Sequence, residues 1–280
     1  MEKINKLFII GSILLIFTGC ILFVVALSKN NWNLELFSTG SKVVNSYEIN
    51  DEFENILIDD SVSNIKIEYI EDDKNKVVIE EVSNRLHTVE VIDNSLTINE
   101  NDKRVWYEKL FNFERTLITI YLNKSRINNL TINSSTSDIK LCNLKFTDIK
   151  IYISTGDIKI KDINSKNIDL KVSTGDIYLE NIECEALSSE GSTGDIKLKN
   201  TLVLGVLNII RDTGDVTFEK SDAYSINIKT STGDVTGTLL TRKCFIVKTS
   251  TGKKQVPETL SGGKCEITTS TGDVIIDIEN

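Results

Sequence analysis

The chain is short of the residues that most chemistry needs. It has one histidine, His87, in 280 residues, and no second imidazole to work with it. His87 is expected on the surface, without a catalytic partner. There is one proline, Pro257, and no glycine-rich phosphate loop, which excludes a nucleotide cradle. Five cysteines, Cys20, Cys142, Cys184, Cys244 and Cys265, are scattered without a Cys-x-x-Cys pair. That spacing supports neither a zinc site nor a disulfide framework, and leaves them as small buried or half-buried residues. Basic charge is also in deficit. Lys and Arg number 32 against 41 Asp and Glu, for a net charge of −9. Residues 1–29 carry +2, so the remainder carries −11. A nucleic-acid partner needs a basic footprint and is excluded, whereas cations and cationic peptides are not. Beyond the N-terminus no window holds an apolar stripe at helical spacing, so the body is not helical.

What the chain has in abundance is one phrase. Ser-Thr-Gly-Asp stands at Ser154–Asp157, Ser173–Asp176, Ser192–Asp195, Ser231–Asp234 and Ser270–Asp273. Looser copies stand at Thr136–Asp138, Asp212–Asp215 and Ser250–Lys253. Counted from threonine to threonine, the steps are 19, 19, 19, 20, 19, 19 and 20 residues. A fixed period of this length dictates a repeat architecture. Within a unit, Ile158 and Ile160 alternate with lysines, as do Ile168, Leu170 and Val172, which is the strand signature. The steps Ile160 to Ile163, Ile163 to Ile168 and Val172 to Ile177 are odd. Side chains alternate faces along a strand, so each odd step needs a bend. Three bends make three sides, the short one carrying Ile163. Stacking such units as a parallel β-solenoid buries all these residues, with coils about 4.8 Å apart and about seven coils in a rod of about 35 Å. Glycine in the phrase suits a corner where a Cβ is strained. The structural repeat positions are thus Thr155, Gly156, Thr174, Gly175, Thr193, Gly194, Thr213, Gly214, Thr232, Gly233, Thr271 and Gly272. The threonines are expected inward or at the corner, bonding between coils.

Residues 1–28 read as a short cytoplasmic tail and a transmembrane helix. Leu7–Leu27 is 21 residues without a charge, enough to cross a bilayer core. Lys3 and Lys6 precede it and the acidic bulk follows, which puts the N-terminus in the cytoplasm and the repeats outside a single-pass cell-membrane anchor. Phe17-Thr18-Gly19-Cys20 also resembles a lipobox, with Cys20 as the lipidated residue. Against that reading, Phe17 stands where leucine is usual and the apolar run continues past Cys20. Residues 29–46 read as a linker in which Trp32, Leu34, Leu36 and Phe37 either meet the membrane interface or pack on the first strand. Residues 47–133 read as a first coil plus a capping strand insertion. Asn55–Ile67 matches Asn129–Leu141 position for position, with Asn64 in the place of Asp138. Candidate strands follow at Val77–Val82, Thr88–Ile92, Ser95–Asn99 and Leu117–Leu122, with a hairpin turn at Asp93-Asn94. Lys103–Arg115, with Trp106, Tyr107, Leu110, Phe111 and Phe113, reads as a turn, short helix or loop. Residues 134–280 are the repeat solenoid. Its last strand, Val274–Ile278, is expected at an open end guarded only by Asp277, Glu279 and Asn280, where self-association through the C-terminal coil is open.

The phrase, the period and the hidden first copy together resemble the putative-adhesin β-strand-repeat family of bacterial envelope proteins, a domain of unknown function, over residues 44–280. The resemblance implies a β-helical surface protein with an N-terminal membrane segment, and brings no catalytic residues. It also implies a link, through some relatives, to envelope-stress responses to cationic antimicrobials. Two functions remain. One is a membrane-anchored, non-catalytic binding or adhesion module, its partner an envelope polymer or peptide. The other is an accessory sensor or regulator acting through another membrane protein and cationic peptides. No cofactor is expected. The one candidate metal feature is the acidic column Asp157, Asp176, Asp195, Asp215 and Asp234, with Asp138 and Asp273 beyond it and Lys253 breaking it. It reads either as a Ca²⁺ or cationic-peptide edge or as a row of corner residues accepting backbone N–H bonds; turn chemistry favours the second. Arg211 takes the inward slot of Val172 and is expected either to bulge outward or to pair with Asp212.

Overall fold

The computed structural model describes residues 2–29, 32, 40–104, 115–123, 126–259 and 261–279. Leu34, Leu36 and Phe37 and the aromatic run from Trp106 to Phe113 lie outside the described residues. The chain divides into two compact units, Met1–Ser41 with Lys103–Glu114, and Lys42–Asp102 with Arg115–Asn280. In the first unit α1 runs from Glu2 to Lys29. Its segment Ile9–Lys29 has a mean hydropathy of 2.8 and is long and apolar enough to cross a membrane. Ile13, Leu14, Phe17 and Leu22 are all exposed on it. Thr18 donates its hydroxyl to the Leu14 carbonyl one turn back, so the helix satisfies its own polar side chain.

The second unit is mostly β-strand. In chain order come β1 (Lys42–Ile49), β2 (Asn55–Tyr69), β3 (Asn75–Val82), β4 (Arg85–Ile92), β5 (Ser95–Asp102), β6 (Thr116–Leu122) and β7 (Arg126–Thr136). Five long strands follow: β8 (Ile139–Thr155), β9 (Ile158–Thr174), β10 (Ile177–Thr193), β11 (Ile196–Thr213) and β12 (Val216–Thr232). Short strands close the chain: β13 (Val235–Leu239), β14 (Lys243–Thr251), β15 (Lys254–Gln255), β16 (Gly263–Thr271) and β17 (Val274–Ile278). β1 begins at Lys42, inside the segment expected as linker, and Trp32 is an exposed turn residue.

Pairing from β7 onward is parallel and in repeat register. Ile139 lies beside Ile158, Ile158 beside Ile177, Ile177 beside Ile196 and Ile196 beside Val216. The result is a β-solenoid-like stack in which like residues form columns. In β9 the buried residues are Ile158 and Ile160, then Ile163 and Ser165, then Ile168, Leu170 and Val172. Both changes of parity fall where the odd steps require them. The first sits at Asp162, in the left-handed region at φ 54°, in column with Asn143, Asn181, Asn200 and Lys220. Asn and Asp tolerate that conformation better than other L-residues, because a short polar side chain bonds locally. The short side carries a second buried column that the spacing did not flag: Phe146, Ser165, Cys184, Val203 and Ala223. Burying each Ile or Leu contributes about 1.5–3 kcal/mol.

The far end differs from expectation. β12 pairs not with β14 but with β16, and β13 pairs with β17. β14 and β15 then lie on the outer side of β16 and β17. The last coil in sequence is therefore next to last in space, slotted between the coils that precede it. Val274–Ile278 lies along β13 on one side, and on the other β15 covers Val274 and Ile275, so the strand does not form the end of the stack by itself. At the opposite end β5 and β6 lie parallel to β2. Beyond them pairing turns antiparallel: β4 on β5, β3 on β6 and β1 on β3. The turn between β4 and β5 is Asp93-Asn94, both at positive φ (48° and 60°), as a two-residue hairpin requires.

Candidate binding groove

The Ser-Thr-Gly-Asp corner is a seam of backbone. The Asp176 N–H donates to Asp157 Oδ1 at 3.0 Å, Asp195 to Asp176 at 2.8 Å, Asp215 to Asp195 at 2.8 Å and Asp234 to Asp215 at 2.8 Å. The ladder continues through Asp273 N–H to Asp234 Oδ1 at 2.7 Å and ends at Lys253 N–H to Asp273 Oδ1 at 2.7 Å. One carboxylate oxygen of each rung is thus committed to the next coil. Asp138 and Asp157 line a hollow with Lys66, Lys140 and Lys159, a cationic setting that disfavours a metal ion. Among the described residues no group of three or more His, Cys, Asp or Glu is placed to hold one. Lys253 does not interrupt the row. It occupies the final rung, where no further coil needs an acceptor.

Gly175, at φ 146°, shows why the corner takes glycine. A Cβ there meets the Gly156 carbonyl oxygen at 2.0 Å. Thr155, Thr174, Thr193, Thr213, Thr232 and Thr271 are exposed, not inward. It is their carbonyls that join coils, accepting from the glycine N–H of the coil before: Gly156 to Thr174 at 3.0 Å, Gly194 to Thr213 at 3.0 Å.

The second corner makes a groove. It is lined on one side by the left-handed column Asn143, Asp162, Asn181 and Asn200, on the other by Lys145, Asn164, Glu183 and Leu202, and between them by buried Leu144, Ile163 and Ile182. It is an open groove of about 420 Å³ across four coils. The amides form their own ladder, Asn181 Nδ2 donating to Asp162 Oδ1 at 2.7 Å and Asn200 Nδ2 to Asn181 Oδ1 at 3.1 Å. Toward β14 the groove meets an apolar platform of Leu202, Leu204, Val206 and Tyr224, the last 72% exposed. A bulge makes the platform. β11 carries one residue more than its neighbours, and its register against β12 shifts between Val203 and Val206. There Leu204 and Gly205 oppose the single residue Tyr224, and Leu204 is turned outward.

Two buried ionic clusters were not legible as sites. His87 is buried, not superficial. Its Nε2 lies 2.9 Å from Asp60 Oδ1 and its Nδ1 lies 2.7 Å from Glu81 Oε2, all three side chains fully enclosed. Burial alone pulls the imidazolium pKa down, but the hydrogen bonds to Asp60 and Glu81 outweigh it and push the pKa up to about 9. Asn45 Nδ2 donates to Glu81 Oε1. Arg85, on the same face of β4, bonds Thr116 and lies 3.5 Å from Glu100. At the other end buried Lys243 reaches Asp222 at 2.7 Å. Arg211 is also buried. Neither exposed nor paired with Asp212, it donates to the Val172 carbonyl two coils away at 3.0 Å and to Ser189 Oγ at 3.1 Å. The path is open because Gly191 lies between: a Cβ there meets Arg211 Nη1 at 1.6 Å. Burial lowers the Arg211 pKa. Cys184 and Cys265 are buried with thiol pKa values pushed up to about 12, Cys142 and Cys244 are half-buried, and Cys20 is exposed on α1.

A family model described as Toastrack DUF4097 matches residues 53–207 and 170–280. No curated protein matches the chain. Among solved structures it is similar to a putative adhesin from Bacteroides fragilis, 18% identical, covering 86% of this chain and 98% of that one at a TM-score of 0.47. It is similar also to a putative lipid binding protein from Parabacteroides distasonis, 14% identical over 86% and 98%, at a TM-score of 0.49. A putative cell adhesion protein from Clostridium sporogenes is 13% identical over 86% and 100%, at a TM-score of 0.30.

Proposed function

The chain belongs to the Toastrack DUF4097 family, and from that premise we propose that it is a membrane-anchored, extracytoplasmic binding module of the bacterial envelope, without catalysis. The observation that carries the reading is the division of labour in the stack. The repeated acids that an enzyme would cluster are spent on backbone N–H groups along the Asp157–Asp273 ladder. The outward columns remain for contact. One of them alternates in charge: Lys161 and Lys199 flank Glu180 at 3.6 and 3.0 Å. Lys161 is exposed and Glu180 and Lys199 are half-buried, so the column presents charge of both signs at the surface. The anchor in this proposal is Ile9–Lys29 of α1.

The test uses full-length protein in nanodiscs incubated with isolated wall polymer, outer-leaflet lipid and secreted peptide fractions. Saturable binding to one fraction by protein with intact β circular dichroism is expected. Folded protein that binds none of them refutes the reading.

A further inference from the structure

The groove at the second corner combines several features that bear on what it can hold. It runs along the stack across four coils, so its occupant is extended. One side of the groove is three asparagines and one carboxylate, Asp162, whose Oδ1 already accepts from Asn181, and the charges opposite, Lys145 and Glu183, are of both signs. Each primary amide has two N–H donors and an oxygen with two lone pairs. The Asn181–Asp162 and Asn200–Asn181 bonds take one N–H from each of Asn181 and Asn200. Each therefore keeps a second N–H for a ligand, beside an oxygen that accepts. The groove ends on an apolar platform, Leu204 54% exposed and Tyr224 72% exposed. The face of Tyr224 stays uncovered because the next coil places Gly263 beside it. A Cβ at 263 meets the Tyr224 carbonyl at 1.7 Å, so the backbone approach that holds β16 in place also forbids a side chain there.

On the binding-module reading above, we propose that this groove and platform bind an uncharged polysaccharide chain laid along the stack axis, Tyr224 stacking on a sugar face and Asn181 and Asn200 bonding its hydroxyls. Hydroxyl groups donate and accept at once, as the spare amide positions do, and the faces of sugar rings are apolar enough to stack on an aromatic ring. Other occupants fit less well. An extended peptide held by strand addition needs a free sheet edge, and β9 and β10, which line the groove, are paired along both sides. An anionic lipid surface finds no net basic charge here, since exposed Lys145 and Lys166 are offset by Glu183 and Glu185 in the same columns.

The experiment is calorimetric titration of full-length protein in zwitterionic nanodiscs with chitohexaose and with cellohexaose, two uncharged oligosaccharides. Saturable binding that persists at about 0.5 M salt is expected, because no charge pairing holds the ligand. Tyr224→Ala, a change on an exposed side chain, is expected to weaken it about tenfold or more. Asn181→Gly keeps the left-handed backbone, removes the amide, and is expected to weaken it several-fold. Failure of both sugars to bind, or equal binding by wild type and Tyr224→Ala, overturns the proposal. So does displacement of bound sugar by no competitor except a peptide that itself needs Tyr224. Envelope-fraction binding measured in the same preparations separates the two levels. If it survives Tyr224→Ala unchanged, the groove proposal falls and the binding module stands; if wild type shows none, the binding module falls.

Discussion

His87 offers a clean measurement, because the chain has no other histidine. An imidazole spectrum of the whole protein contains one residue. Its ring lies between Asp60 of β2 and Glu81 of β3, with Asn45 bonded to Glu81. The folded-state pKa is about 9 against an ordinary 6.5. A pKa raised on folding means that the protonated ring favours the fold. The contribution is complete below about pH 6.5 and is lost as pH rises through about 9. A gap of about 2.5 units at about 1.4 kcal/mol each makes it about 3 kcal/mol. Urea unfolding of full-length protein is therefore expected to weaken by about 1.4 kcal/mol per pH unit between those limits. His87→Gln is expected to unfold about 3–5 kcal/mol more easily at pH 6, since it strands two buried carboxylates, and to be flat over the same interval. A ring that titrates near 6.5, or wild-type and His87→Gln curves that run parallel from pH 6.5 to 9, would refute the reasoning.

Three further outcomes follow from the stack. Gly175→Ala forces a Cβ to 2.0 Å from the Gly156 carbonyl and is expected to cost more than about 3 kcal/mol in urea unfolding, while Thr174→Ala next to it stays within about 0.5 kcal/mol. Asp176→Ala removes the acceptor of the Asp195 N–H and is expected to cost about 1–2 kcal/mol, whereas Asp176→Asn retains an oxygen and costs less than about 1 kcal/mol. Equal losses for the two, or a chelator that shifts the wild-type midpoint, would restore a cation to that edge. Deleting residues 263–279 removes the coil on which β14 lies, and hydrogen exchange is expected to show protection lost in 243–251 but kept in 139–213; unchanged protection in 243–251 would contradict the slotted order.

The repeat made most of the β unit legible, because a fixed period with parity breaks admits few ways to bury Ile158, Ile160, Ile163, Ile168, Leu170 and Val172 together. It hid whatever departs from the period. Asp60 continues the parity of Ile56 and Ile58, and Arg85 and His87 that of Val89 and Val91, so their inward direction could be read. That they meet could not, since 27 residues and an antiparallel return separate His87 from Asp60. Arg211 stands in an inward slot whose neighbour is Gly191; the missing side chain below was the signal that a longer one above could be housed. The Asn143–Asn200 column was visible as a period but carries no apolar residue, and a reading led by buried side chains passes over it.

The order of the last coils was written in the ladder. Every rung must supply an oxygen to the coil that follows, except the rung that nothing follows. Of the copies from Asp138 to Asp273, the one at residue 253 alone lacks a carboxylate, and it is not the last in sequence. A stack in sequence order would leave the Asp273 N–H facing an ammonium in place of an acceptor. Slotting the final coil inward gives it Asp234 as acceptor at 2.7 Å and puts Lys253 at the end. Lys243 reinforces the arrangement: it reaches past the coil that contains Gly263 to the Asp222 carboxylate on β12. The same lysine at 253 guards the open end. A second molecule adding a coil there would meet a rung with no carboxylate to receive its N–H, and charged lysines at sheet edges discourage such pairing. At this corner, then, the chain that makes the ladder also marks where it stops.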